Sequence, residues 1–133
     1  MSNAAARQMV HVWDASQCFN CGACIVACSM TNYAGLAYSG AKIDRGLATN
    51  IERVETEVNG ATRLLLSQCQ QCTNAPCLAK CPKKAISRND DGLVVTDEAK
   101  CIQCGKCVAA CPYGARWIDP KTETPKSCMG PGC

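Results

Sequence analysis

The chain has 133 residues, room for one compact domain or two small lobes on a shared core. It carries 14 Cys and one His but only two Trp, three Tyr and one Phe, which excludes a large apolar core and implies stability borrowed from metals or disulfides. The formal charge of +3, with no basic run or Arg-rich stripe, is no argument for nucleic acid as a partner.

In chain order, Met1–Val12 has no apolar segment of signal-peptide type and no twin-arginine pair. No stretch approaches the roughly 20 apolar residues that span a bilayer. The expectation is a cytoplasmic protein without direct membrane insertion, in a reducing setting that suits thiolates. Export bound to a signal-bearing partner stays open. Val10–Trp13 reads as a short strand, which favours a structural or surface role for His11 over metal ligation.

The first cysteine group is Cys18-x2-Cys21-x2-Cys24-x3-Cys28, with a short helical turn expected over Cys24–Cys28. Tyr33–Asn50 shows no periodicity and reads as a long loop. Loops beyond about 12 residues are usually functional or disordered, so it is a candidate docking surface. Asn59-Gly60 between Ile51–Val58 and Ala61–Leu66 marks a hairpin. The β-like piece Leu64–Leu66 leads into the second group, Cys69-x2-Cys72-x4-Cys77-x3-Cys81, followed by Pro82. A second hairpin is expected from Ala85–Ser87 through the turn Asn89–Gly92 to Leu93–Val95.

The third group is Cys101-x2-Cys104-x2-Cys107-x3-Cys111, followed by Pro112. Helical turns are expected over Cys77–Cys81 and Cys107–Cys111, each stopped by its proline. Tyr113 and Trp117 are expected to pack over a metal site. Lys80, Lys83, Lys84 and Arg116 read as surface cations, with docking of an acidic partner as the functional alternative. Lys80, beside Cys81, is also a candidate for raising a site's reduction potential. The tail pair Cys128-x4-Cys133 sits among Pro125, Gly130, Pro131 and Gly132, which suit an irregular return across the domain.

These groups are internal repeats of one short unit. Paired Cys-x2-Cys is also a zinc signature, but zinc sites use two pairs with a spacer, not four cysteines in one short run ending in proline. The pattern favours [4Fe–4S] clusters. Each cluster with its four thiolates carries about −2, so three would bring the total to about −3. The short gaps turn backbone N–H groups toward the sulfurs. The fourth Cys of a run lies one helical turn past the third and reaches the neighbouring cluster, the behaviour known for the bacterial Cys-x2-Cys-x2-Cys-x3-Cys-Pro run. One cluster then takes Cys69, Cys72, Cys77 and Cys111. The other takes Cys101, Cys104, Cys107 and Cys81, under a pseudo-twofold repeat.

Cys101–Pro112 with Tyr113-Gly114-Ala115 resembles a bacterial dicluster ferredoxin. The second group, with Ala75-Pro76 before Cys77, resembles iron–sulfur subunits of the dimethyl-sulfoxide-reductase type. The first group fits them too, since Ser29 rather than Pro follows Cys28. The likeness covers Val10 to about Asp119. It implies an electron-transfer role beside a larger catalytic subunit holding a molybdenum or tungsten pterin, with a further electron-input subunit or ferredoxin as a second partner. Relatives of this type have a fourth four-Cys group that shares ligands with the first, and bind four clusters. Here only Cys128 and Cys133 stand in that region, and 14 Cys fall short of the 16 needed. Three clusters are therefore expected, the first held by Cys18, Cys21, Cys24 and Cys133, with Cys128 as the substitute and Cys28 spare. Four clusters remain the alternative, with a non-Cys or partner ligand.

The expected fold is a small α+β chain with a dicluster-ferredoxin core. Residues 1–133 form a single polyferredoxin-like domain: 64–119 the dicluster core, 17–29 with the tail 120–133 a further cluster lobe, and 30–63 an inserted loop and hairpin. No Ser–His–Asp set, paired-carboxylate pocket, P-loop or dinucleotide fingerprint is present, so no substrate site is expected. Alternatives are a free ferredoxin-type carrier and a zinc-binding interaction module.

Overall fold

The computed structural model describes residues 12–37, 39, 42 and 47–129. The expectations for Val10, His11 and Cys133 lie outside them. Val12 and Trp13 are irregular, so the strand expected at Val10–Trp13 does not include them.

A 3-10 turn, Ala15–Gln17, is capped by Asp14, whose carboxylate accepts from Ser16 N at 2.8 Å. It leads to α1, Ala23–Ala37. The cysteine spacing predicts only the start of this helix. Pro82 and Pro112 follow the last cysteines of their groups, but Ser29 follows Cys28, so nothing removes a backbone donor and the helix continues. Its break is at Tyr33, where φ is −139° and ψ 26°. Residues 33–37 lie within this helical element and correct the long-loop reading of that stretch. The reason for the break is tertiary: the Tyr33 hydroxyl donates to Asn50 Oδ1 at 2.8 Å, and its ring meets Trp117 edge-on at 5.1 Å.

Strands β1 (Glu52–Val58) and β2 (Ala61–Ser67) form the first hairpin, in register from Glu52↔Ser67 to Val58↔Ala61. Its turn residues Asn59 and Gly60 have φ of 53° and 74°, the two positive values a type I′ turn requires. Helix α2, Pro76–Lys80, starts on a proline whose missing N–H costs nothing there. Strands β3 (Ile86–Arg88) and β4 (Val94–Thr96) make the second hairpin. Asn89 closes it, its side chain accepting from Leu93 N at 2.8 Å. Helix α3 is Lys106–Ala109. A third, unexpected pair joins β5 (Trp117–Ile118) to β6 (Pro125–Lys126). Two residues per strand are too few to show alternation in a sequence.

Among the described residues the result is an α+β arrangement of short helices and three separate two-stranded antiparallel sheets. Two small cores hold it. One gathers Ala75, Ile86 and Val94 with the side chains of Cys77 and Cys107. The other gathers Leu36, Ala48 and Trp117, with Tyr33 against them. Trp117 packs against α1, and its Nε1 donates to Asn50 Oδ1 at 3.0 Å. Tyr113 is half-exposed.

Candidate metal centres

Each cysteine loop is bent at the same point. Asn20, Gln71 and Gln103, the residues before the second cysteine of each group, have φ of 58°, 49° and 57°. A non-glycine residue there is uncommon and strained, so the tertiary setting must hold it. The side chains do that. Asn20 accepts from Arg53 of β1 at 2.6 Å. Gln71 donates to the Cys128 carbonyl at 2.8 Å and accepts from Val94 N at 2.7 Å. Gln103 donates to the Thr122 carbonyl at 3.4 Å. The bend turns backbone N–H groups toward sulfur: Gln103 N donates to Cys101 Sγ at 3.4 Å, and the Gln71 N–H serves Cys69 in the same way.

The second and third groups then meet, because α2 packs on α3. Cys81 and Cys111 leave their helices on matching bonds, to Leu78 O at 3.3 Å and Val108 O at 3.2 Å. The turns beyond also match: Lys84 N to Cys81 O and Gly114 N to Cys111 O, both 3.2 Å, with Lys84 and Gly114 left-handed at 49° and 58°. Ala85 N further donates to Cys81 Sγ at 3.3 Å. Two cavities of similar size result, about 350 and 330 Å³ with their open mouths included. One is lined by Cys81, Cys101, Cys104 and Cys107. The other is lined by Cys69, Cys72, Cys77 and Cys111.

Burial pushes the Cys69 thiol up, opposed by the Gln71 N–H and by Arg116; Cys77 and Cys111 add to the rise. Burial likewise pushes Cys107 up, again opposed by Arg116. Arg116 is therefore not the surface cation expected: it is 3 % exposed. The residue lies between buried Ala115 and Trp117 on the segment entering β5, a position whose burial no local pattern announces. Lys80, Lys83 and Lys84 are exposed as expected.

Four thiols per cavity, with N–H donors aimed at the sulfurs, match the four-thiolate donor set and the anionic charge of a [4Fe–4S] cluster. Among the described residues no three Cys, His, Asp or Glu side chains gather to hold a single ion.

The first group is more open. Cys18 is half-buried, and Cys21 and Cys24 are exposed at the start of α1. Cys28 is half-buried, and its Sγ accepts from Asn50 N at 3.3 Å. Cys128 is half-buried as well. Both Cys28 and Cys128 lie near the Tyr33 hydroxyl, which burial, with smaller contributions from Cys28, Asp119 and Cys128, pushes up to about 12 against the Asn50 hydrogen bond.

Sequence reasoning does not single out Asn50, Gln71 or Arg88. Asn50 accepts from Tyr33 and Trp117 while its N–H serves Cys28. The Arg88 guanidinium donates to the carbonyls of Gln71, Cys72 and Thr73, clamping the second loop. A polar residue recurring at one offset in all three groups is the available clue for Gln71. Asn50 and Arg88 have no comparable periodic mark.

Residues 61–132 match the 4Fe-4S dicluster domain family, and residues 15–31 match a 4Fe-4S binding domain. The chain is 34 % identical to the thiosulfate reductase electron transfer subunit PhsB of Salmonella typhi, over 95 % of this chain and 64 % of that protein. It is 35 % identical to a tetrathionate reductase subunit of Archaeoglobus fulgidus, over 90 % of this chain and 53 % of that protein. A polysulfide reductase component of Wolinella succinogenes is also 35 % identical, over 90 % of this chain and 60 % of that protein. The chain spans between half and two thirds of the length of these relatives.

Proposed function

Because this protein belongs to the 4Fe-4S dicluster family, we propose that it is the electron-transfer subunit of a larger oxidoreductase with a molybdenum- or tungsten-pterin catalytic chain. One observation carries the reading: each of two cavities is lined by four cysteines, three from one group and one from the other. The clusters supply one-electron storage at low reorganisation. The chain's residues supply everything else: thiolates, N–H donors to sulfur, and the packing of α2 on α3 that keeps the two sites adjacent. The relatives named as reductase subunits supply the expectation of a catalytic partner.

The linings support two ligand sets: Cys69, Cys72, Cys77 and Cys111 for one cluster, and Cys101, Cys104, Cys107 and Cys81 for the other. The matched turns at Lys84 and Gly114 support a pseudo-twofold relation between these halves. Cys18, Cys21 and Cys24 hold a third cluster with a tail cysteine, Cys133 or Cys128. The domain plan is a dicluster core over 64–119, a third cluster lobe from 17–29 with 120–133, and 30–63 between them. None of the described helices is long and apolar enough to cross a membrane, and a set of thiolate ligands suits a reducing, cytoplasmic setting.

Anaerobic purification of the native complex tests the reading. A co-purifying larger chain containing pterin and tungsten or molybdenum is expected. A lone brown species near 14.1 kDa favours a free carrier. A colourless zinc protein without acid-labile sulfide rejects both.

A further inference from the structure

Arg116 poses a problem of buried charge. It is 3 % exposed, and among the described residues its Nε and one terminal nitrogen have no hydrogen-bond partner. The other terminal nitrogen donates to Thr96 Oγ1. Among the described residues no carboxylate pairs with it. A guanidinium stays charged at any ordinary pH, and proteins rarely bury one unpaired without an anion nearby.

Its position identifies the anion. Arg116 lines the cavity of Cys69, Cys72, Cys77 and Cys111, whereas its partner Thr96 lines the cavity of Cys81, Cys101, Cys104 and Cys107. The guanidinium therefore lies between the two cysteine sets.

We infer that Arg116 is the internal counter-charge shared by the two dicluster sites, and that it raises their one-electron reduction potentials. The inference rests on the ligand sets proposed above. Each site with its four thiolates carries about −2 when oxidised and −3 after accepting one electron from an external low-potential donor. A fixed cation nearby stabilises the more negative state more, and the low-dielectric interior enlarges the difference. Arg116 touches no substrate and passes no electron; it acts on the sites by its field.

The test is an EPR-monitored redox titration of the full chain, alongside iron and sulfide analysis. Arg116→Met keeps length and removes charge. With full iron content it is expected to lower the reduction equilibrium constant of at least one dicluster site tenfold or more, which is 59 mV for one electron. Arg116→Lys, which keeps the charge, is expected to stay within about threefold of the native protein. Full-content Arg116→Met with native midpoints overturns the inference. If Arg116→Met fails to assemble clusters while Arg116→Lys assembles them, the charge requirement stands. Equal failure of both overturns it, because shape rather than charge is then what the site needs. A native protein without acid-labile sulfide would sink the ligand assignment itself, a separate result from any midpoint shift.

Discussion

At the scale of single residues, the sharpest expectation concerns Cys111. It lines the cavity of Cys69, Cys72 and Cys77, not that of the other cysteines in its own run. Cys111→Ala is therefore expected to abolish or convert the cluster built on the second group, leaving the one built on Cys101, Cys104 and Cys107 intact. Spectra that resolve the two clusters check this, and damage confined to the Cys101 cluster would refute it. Lys84 and Gly114 offer a paired test of backbone strain. Both are left-handed, but only Gly114 is free of the Cβ penalty, and a methyl there meets nothing within 4 Å. Gly114→Ala is expected to destabilise the protein by about 1 kcal/mol and Lys84→Gly to stabilise it by a similar amount. Denaturant midpoints of the iron-loaded proteins measure both. Three of the four cysteines lining each cavity come from one run, so their grouping is local and legible in the spacing, whereas the fourth comes from the other run. The burial of Arg116 is not legible, because it depends on Thr96 and on loops far away in sequence, which no spacing encodes.

At the scale of elements, both hairpins are legible for one reason: their turn residues state the backbone angles they need. Asn59-Gly60 supplies two positive φ values, and Asn89 closes its turn with its own side chain. The extent of α1 is not legible, since a stretch without proline is permissive rather than directive, and the break at Tyr33 is imposed by Asn50 and Trp117. The β1–β2 hairpin is a two-stranded sheet exposed over most of its length, and such sheets are marginal alone. Replacing Asn59-Gly60 by Ala-Ala is expected to weaken it by about 1–2 kcal/mol. Hydrogen exchange should then accelerate across Glu52–Ser67 while iron content stays unchanged. Iron loss in this variant would show that the hairpin supports the clusters directly.

At the scale of the whole molecule, the protein core is small and divided, and cysteine side chains form part of it. Removing the metal leaves those thiols without the bonds that tie the loops together, and the two apolar groups are too slight to offset chain entropy. The apo form is expected to be largely unfolded. Circular dichroism before and after anaerobic chelation checks this, with a retained native spectrum and cooperative melt as the contrary result. The number of clusters is decided at this scale as well. Three clusters per chain give about 12 iron atoms, and Cys133→Ser or Cys128→Ser should remove about four. A native value near about 16, or no loss in either variant, would reject that count.

The way the cavity linings interleave along the sequence also dictates an order of events during synthesis. The site lined by Cys81, Cys101, Cys104 and Cys107 gains its last cysteine at position 107, and its neighbour gains its own only four residues later, at Cys111. At roughly 5–20 residues per second, the ribosome separates these moments by less than about a second. Cys69, Cys72 and Cys77 must therefore wait as open thiols through about 34 residues of further translation, on the spacing of Cys77 and Cys111. On the proposed ligand sets, a chain stalled just before Cys111 would hold all four thiols of one site and lack the fourth of the other.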